Sequence, residues 1–301
     1  RPERAQATAY WNLCQPLAVA VSAPVTSALL GGYGWQKMLI YEGALPFLWL
    51  PIWWFCIRDH PREASWLSRE ERERVETNLR DEVDQLEPVG KSSLWESLAH
   101  PTVLVMVAFY FLHNCAAYGC MTFFTDGLKG QGFTTLQYGW LFAVPYAVAA
   151  VLMVLVSRSS DRKRERRWHL AFTYGLSGIS LILSVMCRGH FWLSYTFLCL
   201  AIPGPFIGQA PFWANASETL PRNVLAVAIG LVNALGNVGG FAGNYVVGWL
   251  KDSFPKMTGL PFGLLGLGMV GCAMLALLLP KARYAPLQNV KTAPGPSAGR
   301  T

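Results

Sequence analysis

Charge is scarce in this chain. Only 14% of its 301 residues are Asp, Glu, Lys or Arg, while 52% are hydrophobic, and the mean hydropathy is +0.29. A balance this apolar excludes an ordinary soluble domain. Cysteine chemistry is equally thin. Cys14, Cys56, Cys115, Cys120, Cys187, Cys199 and Cys272 include no C-x-x-C pair, and most fall in apolar stretches, where a buried thiol acts as a small hydrophobe. His60, His100, His113, His169 and His190 are scattered, and no group of Cys, His and acids has metal-ligand spacing. A nucleophile elbow and a phosphate-cradling loop are missing too. No enzymatic activity, no metal and no cofactor are therefore expected. The polar start offers no signal peptide either.

What the chain has is long apolar runs. Seven windows, near 8–31, 36–57, 101–125, 137–157, 169–187, 224–250 and 257–280, are mostly apolar. Each has roughly the 20 residues that an α-helix needs to cross a hydrocarbon core about 30 Å thick. An eighth window, near 190–214, is apolar but interrupted by Pro203, Pro205 and Pro211. Soluble helices of this length would show a polar face, and these do not. The expected fold is an all-α, polytopic membrane helix bundle of eight spans.

The few charges give the orientation. With Arg1 placed in the cytoplasm, 20 of the 25 Lys and Arg fall on the cytoplasmic side, as the positive-inside rule requires. Six of them crowd into the turn from Arg158 to Arg167. The five on the other side are Lys37, Lys129, Arg188, Lys251 and Lys256. The net charge of +7 is then a topology signal and calls for no nucleic acid. Both ends are expected in the cytoplasm of a cell or inner membrane, with the lipid bilayer as the chief partner.

The order of spans is two, then six. Residues 1–57 hold two spans and 58–98 form a polar cytoplasmic segment. Residues 99–284 hold six spans, and 285–301 form a tail expected to be disordered. Within the polar segment, Ser68 and Glu71 make a capping box that opens a charged helix from Arg69 to about Leu86, ended by Pro88 and Gly90. A long linker ahead of a six-span block suggests that the block before it also had six spans, of which four are absent from this chain.

Several spans break the apolar rule. On a helical projection with Asn233 at zero, Asn237 falls at about 40° and Asn244 at about 20°, so three amides share one stripe. Gly236, Gly239, Gly240 and Gly243 form an adjoining face with two G-x-x-x-G spacings, suited to close approach of a neighbouring helix. Amides in hydrocarbon are costly unless paired. Ligand contact and interhelical hydrogen bonding would satisfy the stripe equally well. In 101–125, Tyr110, Asn114, Ala117, Tyr118 and Met121 share one side with His113 at its edge. That side could hydrogen-bond a carboxylate or pack on a neighbour, and His113 could be structural or relay a proton. In the proline-broken span, Trp213 and Asn215 lie near the cytoplasmic end, at a site or a gate. Glu42 is a carboxylate in an otherwise apolar span, shallow enough to pair with Lys37.

The pattern Ser160-Asp161-Arg162-x-x-Glu165-Arg166-Arg167-Trp168-His169 resembles the turn between helices eight and nine of the major facilitator superfamily. More narrowly, it resembles the anion:cation symporter family of organic-anion permeases, the phthalate permease-like group. Supporting matches run along the chain. They include Arg1-x-x-Arg4-Ala5, Gly34-Trp35 with Glu42-Gly43, Trp66-Leu67-Ser68-x-Glu70-Glu71-Arg72, Pro145-Tyr146 and Phe212-Trp213. Gly236-Asn237-x-Gly239-Gly240-Phe241-x-Gly243 and Gly248-Trp249-Leu250-Lys251-Asp252 complete the set. By this resemblance the chain corresponds to helices five to twelve.

The resemblance implies alternating access between two six-helix bundles, with the site at their interface. It implies a monomeric symporter of a small organic anion, a carboxylated metabolite, with H⁺ as the coupling cation. The helices expected to carry the key charges, one and four, are not in this chain. The substrate-binding candidates that remain are Tyr110, Asn114, Tyr118, Trp213, Asn233 and Asn237. Asp161, Arg162 and Arg166 are the gating candidates. Asp161 is expected to meet the N-terminus of helix eleven near Asn223 and to latch the cytoplasmic face. Ser157 and Arg164 replace glycines usual in this turn and should make it bulkier. A drug or metabolite efflux transporter, or a non-transporting receptor or scaffold, are the alternatives.

Overall fold

Gly34 turns the first helical stretch back on itself. Helix α1 (Pro2–Cys56) is continuous except at this residue, whose φ of 77° and ψ of 169° are non-helical. The Thr26 hydroxyl donates to the Glu42 carboxylate across a separation of 16 residues, and the rings of Tyr33 and Tyr41 meet edge to face at 5.6 Å. In one straight helix Thr26 and Glu42 would lie about 24 Å apart, so the two arms must run antiparallel. The backbone at Gly34 lies in a region that is essentially glycine-only, and a Cβ there would meet nothing. Gly34→Ala is therefore strained by its backbone alone and should cost about 1–3 kcal/mol, lowering the thermal midpoint of the solubilised protein. Gly43→Ala, equally uncrowded and with no positive φ, should lower it little or raise it.

The computed structural model describes residues 2–84, 94–128, 131–163 and 165–281. Pro88, Gly90, Arg164 and the tail 285–301 lie outside the described residues, as does the side chain of Asn223. After α1 come a short 3₁₀ turn (Pro61–Glu63) and then α2 (Arg69–Asp84), α3 (Leu94–Ala99), α4 (Pro101–Leu128) and α5 (Thr135–Lys163). These are followed by α6 (Arg167–Met186), α7 (Phe191–Ala201), α8 (Pro203–Thr219), α9 (Arg222–Ser253) and α10 (Leu260–Leu278). Among the described residues, seven stretches are long and apolar enough to cross a membrane, the first running from Trp11 to Cys56. Dividing that stretch at Gly34 gives the eight spans expected. The chain folds as an all-α, multi-pass membrane bundle.

Three helix pairs pack closely, and small residues explain why. A Cβ on Gly239 or Gly243 of α9 would fall under 3.0 Å from the carbonyl oxygens of Phe111 and Cys115 on α4. One on Gly178 of α6 would strike the Gly266 carbonyl of α10, and one on Gly139 of α5 would strike Ala23 and Ser27 of α1. Without lipid-excluded apolar area as a driving force, such backbone approach is what joins membrane helices. The α1 residues in that contact belong to its first arm. Residues 35–56 are exposed almost throughout, Trp49, Trp53, Trp54 and Phe55 among them.

The proline-rich span breaks where the sequence indicates. Pro203 opens a new helix after Ile202, since it lacks an N–H and its ring obstructs the preceding turn. The Ser177 hydroxyl of α6 donates to the Ala201 carbonyl at 2.7 Å, so the break is pinned to its neighbour. In the polar segment the capping box forms as expected. Ser68 donates from its hydroxyl and backbone to Glu71 at 2.8 and 3.1 Å, and accepts from the Glu71 N–H at 3.2 Å. The two bonds to the carboxylate hold the Glu71 carboxyl below its usual range.

Candidate functional site

Two places carry the polar chemistry: an amide and aromatic face on α4 and α9, and the basic turn between α5 and α6. On α9 the buried positions Ala228, Val232, Gly236, Gly239, Gly243 and Val247 recur at helical spacing, and the three glycines among them face α4. The amide stripe runs along the border of that contact. Asn233 and Asn237 are exposed and joined by a long 3.4 Å contact between their amides. Asn244 accepts from the Thr122 hydroxyl of α4 at 2.7 Å and donates to Gly240 within its own helix. The stripe thus divides: Asn244 ties two helices together, while Asn233 and Asn237 face outward.

On α4, Tyr118 is 49% exposed and its ring lies against Gly240 of α9. Tyr110 and Asn114 are not on this surface. Asn114 is buried, its amide donating to the Tyr110 carbonyl at 3.1 Å. Tyr110 stacks between His113 at 5.1 Å and Phe212 at 5.6 Å, and a Cβ on Gly236 would strike its ring. The physical reason is close α4–α9 approach, which turns one edge of the expected α4 face into core. Trp213 is half-buried and meets Tyr110 edge to face at 5.2 Å, so it shores up that core from α8. His113 is buried and hydrogen-bonded to the Tyr174 hydroxyl at 2.6 Å, the structural option for this residue. Glu42 bonds Thr26 of the opposite arm, which corrects the expected pairing with Lys37.

The basic turn is built around one cation. Arg166 is 8% exposed and bonds Asp161, the Ser160 hydroxyl at 3.1 Å, and Glu218 of α8 at 3.1 Å. Burial works against its charge, but bonding to Glu218 and Asp161 outweighs this and holds the guanidinium more firmly protonated than an ordinary Arg. Around it, Glu165 accepts the N–H groups of Arg167 and Trp168 at 3.1 and 3.3 Å, a good use of an anion at a helix N-terminus. Arg167 donates to the Leu277 carbonyl at the end of α10. His169 bonds Ser159 at 3.1 Å. Among the described contacts Asp161 meets Arg166 of its own turn, where the sequence pointed to the start of α9. Arg162 is exposed, and Ser157 is buried.

Sequence reasoning missed Glu218. It lies four residues beyond the proline-broken window, and only the packing of α8 on the turn brings it to Arg166. Asn215 is legible near this end, but not as a clamp. It is fully buried, and its amide donates to the Pro280 carbonyl at 3.1 Å, fastening α8 to the end of α10.

Eight apolar spans, helix pairs joined through glycine, a kinked span and a buried charge cluster at one end define a polytopic helix-bundle membrane protein. Residues 1–244 match the model of the Major Facilitator Superfamily, and the chain belongs to that superfamily. It is 29% identical over 297 residues to a putative tartrate transporter of Agrobacterium vitis, covering 97% of this chain and 67% of that protein. It is 28% identical over 300 residues to a quinolone resistance transporter of Acinetobacter baumannii, covering 93% and 65%. It is also 30% identical over 249 residues to the inner membrane transport protein RhmT of Escherichia coli strain K12, covering 79% and 56%. The chain thus spans about two thirds or less of the length of these relatives.

Proposed function

We propose that this chain acts in secondary active transport of a small organic anion across a plasma or inner membrane, by alternating access and with H⁺ as the coupling cation. The observation that carries the reading is the pair Asn233 and Asn237. Both amides are exposed on the helix whose Gly240 faces the Tyr118 ring, and polar groups at membrane depth are costly unless they meet a partner or a wet cavity. Amides and a phenol are suitable hydrogen-bond donors for a carboxylate. The resemblance to organic-anion permeases and the relative named as a tartrate transporter favour the same substrate class. The relative named for quinolone resistance favours efflux of a drug as the second reading.

In this reading the basic turn is cytoplasmic, and Asp161, Arg162 and Arg166 form the gate, with Asp161 and Glu218 sharing the Arg166 charge. Uptake of a panel of labelled carboxylates, under an imposed pH gradient in cells producing the protein, tests it. Asn233→Ala combined with Asn237→Ala should lower uptake at least about tenfold, since a hydrogen bond to a charged group is worth about 1.5–3 kcal/mol, while the amount of protein in the membrane stays the same. Unchanged uptake in that variant would sink the assignment of the face. Export of a quinolone in place of carboxylate uptake would favour the second reading.

A further inference from the structure

The fold-back at Gly34 puts a carboxylate at membrane depth and gives it a hydroxyl partner. Thr26 and Glu42 each lie eight residues from Gly34, one on either arm. Their hydrogen bond therefore sits about 12 Å along the arms from the turn. The arms, Trp11 to Gly34 and Gly34 to Cys56, are each about 33 Å long, close to the thickness of a hydrocarbon core. The pair lies about a third of the way down them. Both side chains are half-buried. Lys37, five residues before Glu42, is exposed and projects about 140° around the arm from it.

Next to Thr26 the chain meets another helix. A Cβ on Gly139 of α5 would fall under 3.0 Å from the Ser27 side chain and the Ala23 carbonyl. The helices packed on α1 are chiefly α5 and α8. At this level α5 carries Tyr138 and, two turns on, Tyr146. Its charged residues Arg158, Asp161, Arg162 and Lys163 lie at its other end, as does Glu218 of α8, which bonds Arg166. On α1 itself Tyr33 and Tyr41 meet on the turn side of the pair. Glu3, Arg4, Tyr10 and Cys14 lie three or more turns away, toward the start of the helix.

An ionised carboxylate is costly at membrane depth, and taking up a proton removes its charge. The Thr26 hydroxyl suits both forms. It donates to the carboxylate, and it can accept from the O–H of the protonated acid. One O–H bond forms on Glu42 when the proton is loaded and breaks when it leaves, and no other covalent bond changes. The pair adjoins the Ser27 contact, where the two-span block meets the six-span block. In the reading above those are the bodies that alternating access moves. We infer, on that transport reading, that Glu42 carries the coupling proton and that Thr26 passes its protonation state to the α1–α5 seam.

Infrared difference spectroscopy of the purified protein in proteoliposomes, recorded across a pH step, reads the carboxyl directly. One protonated-carboxyl component of the wild-type spectrum is expected to vanish in Glu42→Gln. Thr26→Val removes the donor and should raise its frequency, while Thr26→Ser should leave it in place. The full wild-type spectrum in Glu42→Gln overturns the assignment. Where Glu42→Gln fails to fold, Thr26→Val keeps the acid, and an unshifted component there overturns the pairing. Transport of the same panel of labelled carboxylates, with the membrane potential clamped, tests the coupling. A gradient of about one pH unit supports about tenfold accumulation per coupled proton. Glu42→Gln should lose that accumulation yet still exchange internal for external carboxylate. Wild-type accumulation in Glu42→Gln overturns the coupling role, and loss of exchange along with accumulation makes Glu42 structural and overturns it too. A wild type that moves no carboxylate overturns the transport reading instead, and the infrared component still decides whether Glu42 binds a proton.

Discussion

Gly239→Val is expected to abolish the folded protein. The substitution adds a branched side chain where even a single Cβ would sit under 3.0 Å from the Phe111 carbonyl, with the Phe111 carbonyl carbon and Cα close behind. None of those atoms belongs to a flexible side chain that could swing away. The only relief is to push α9 off α4, which would also part Gly243 from Cys115 and break the bond between Asn244 and Thr122. Overpacking of a core costs about 1–3 kcal/mol where the surroundings can give, and here they cannot. Loss of the monodisperse peak in size-exclusion chromatography, with protein degraded in the membrane, is the outcome to look for. Gly240→Ala is the instructive contrast. Its new Cβ would meet the ring of Tyr118, an exposed side chain free to turn, so a folded protein with an altered face should result. A Gly239→Val variant that stays folded and stable would show that α4 and α9 do not pack as described.

Arg166→Ala should be the most damaging single change in the basic turn, at about 3–5 kcal/mol. Removing a buried cation leaves its anions behind. Glu218 is 25% exposed and Asp161 is 53% exposed, so water can screen the second far better than the first. Asp161→Asn should therefore cost less than about 1 kcal/mol, and Glu218→Gln should cost more than Asp161→Asn. Lysine at 166 should rescue poorly, because it lacks the planar fork that reaches Ser160, Asp161 and Glu218 from one side chain. Thermal denaturation of the solubilised variants orders these effects. A ranking in which Asp161→Asn is the worst would mean that the turn is held chiefly from α5 and that α8 matters little.

Much of this architecture is legible in the sequence because the membrane simplifies the problem. Apolar length gives the spans, and the scarcity of Lys and Arg makes each one count. The glycine and amide faces of α9 follow from helical geometry, and they do adjoin as drawn. Periodicity fails at the next step, since it gives an arc of side chains but not what covers it. Tyr110 and Asn114 share an arc with Tyr118, yet Gly236 lets the two helices close over Tyr110 and leaves Tyr118 outside. Partners across loops are similarly hidden. Glu218 and Arg166 are 52 residues apart, and Glu42 is 16 from Thr26, so only the fold introduces them. Arg188 and Lys251 are visible in the sequence just as exceptions to a charge rule, and nothing in their spacing indicates that both lie over the Phe262 ring.

Helix α8 is a short rod of 17 residues. It begins at the proline break after Ile202, carries the aromatic wall at Phe212 and Trp213, and ends beside Glu218. Trp213 and Glu218 are five residues apart, about 7.5 Å along the axis, with no break between them. A shift of α8 that moves the wall therefore also moves the carboxylate end of the ion pair. The converse holds with equal force, because coupling between two points on one body is reciprocal. Any free energy by which the state of the Glu218–Arg166 pair biases the wall around Trp213 is matched by the bias of the wall on the pair.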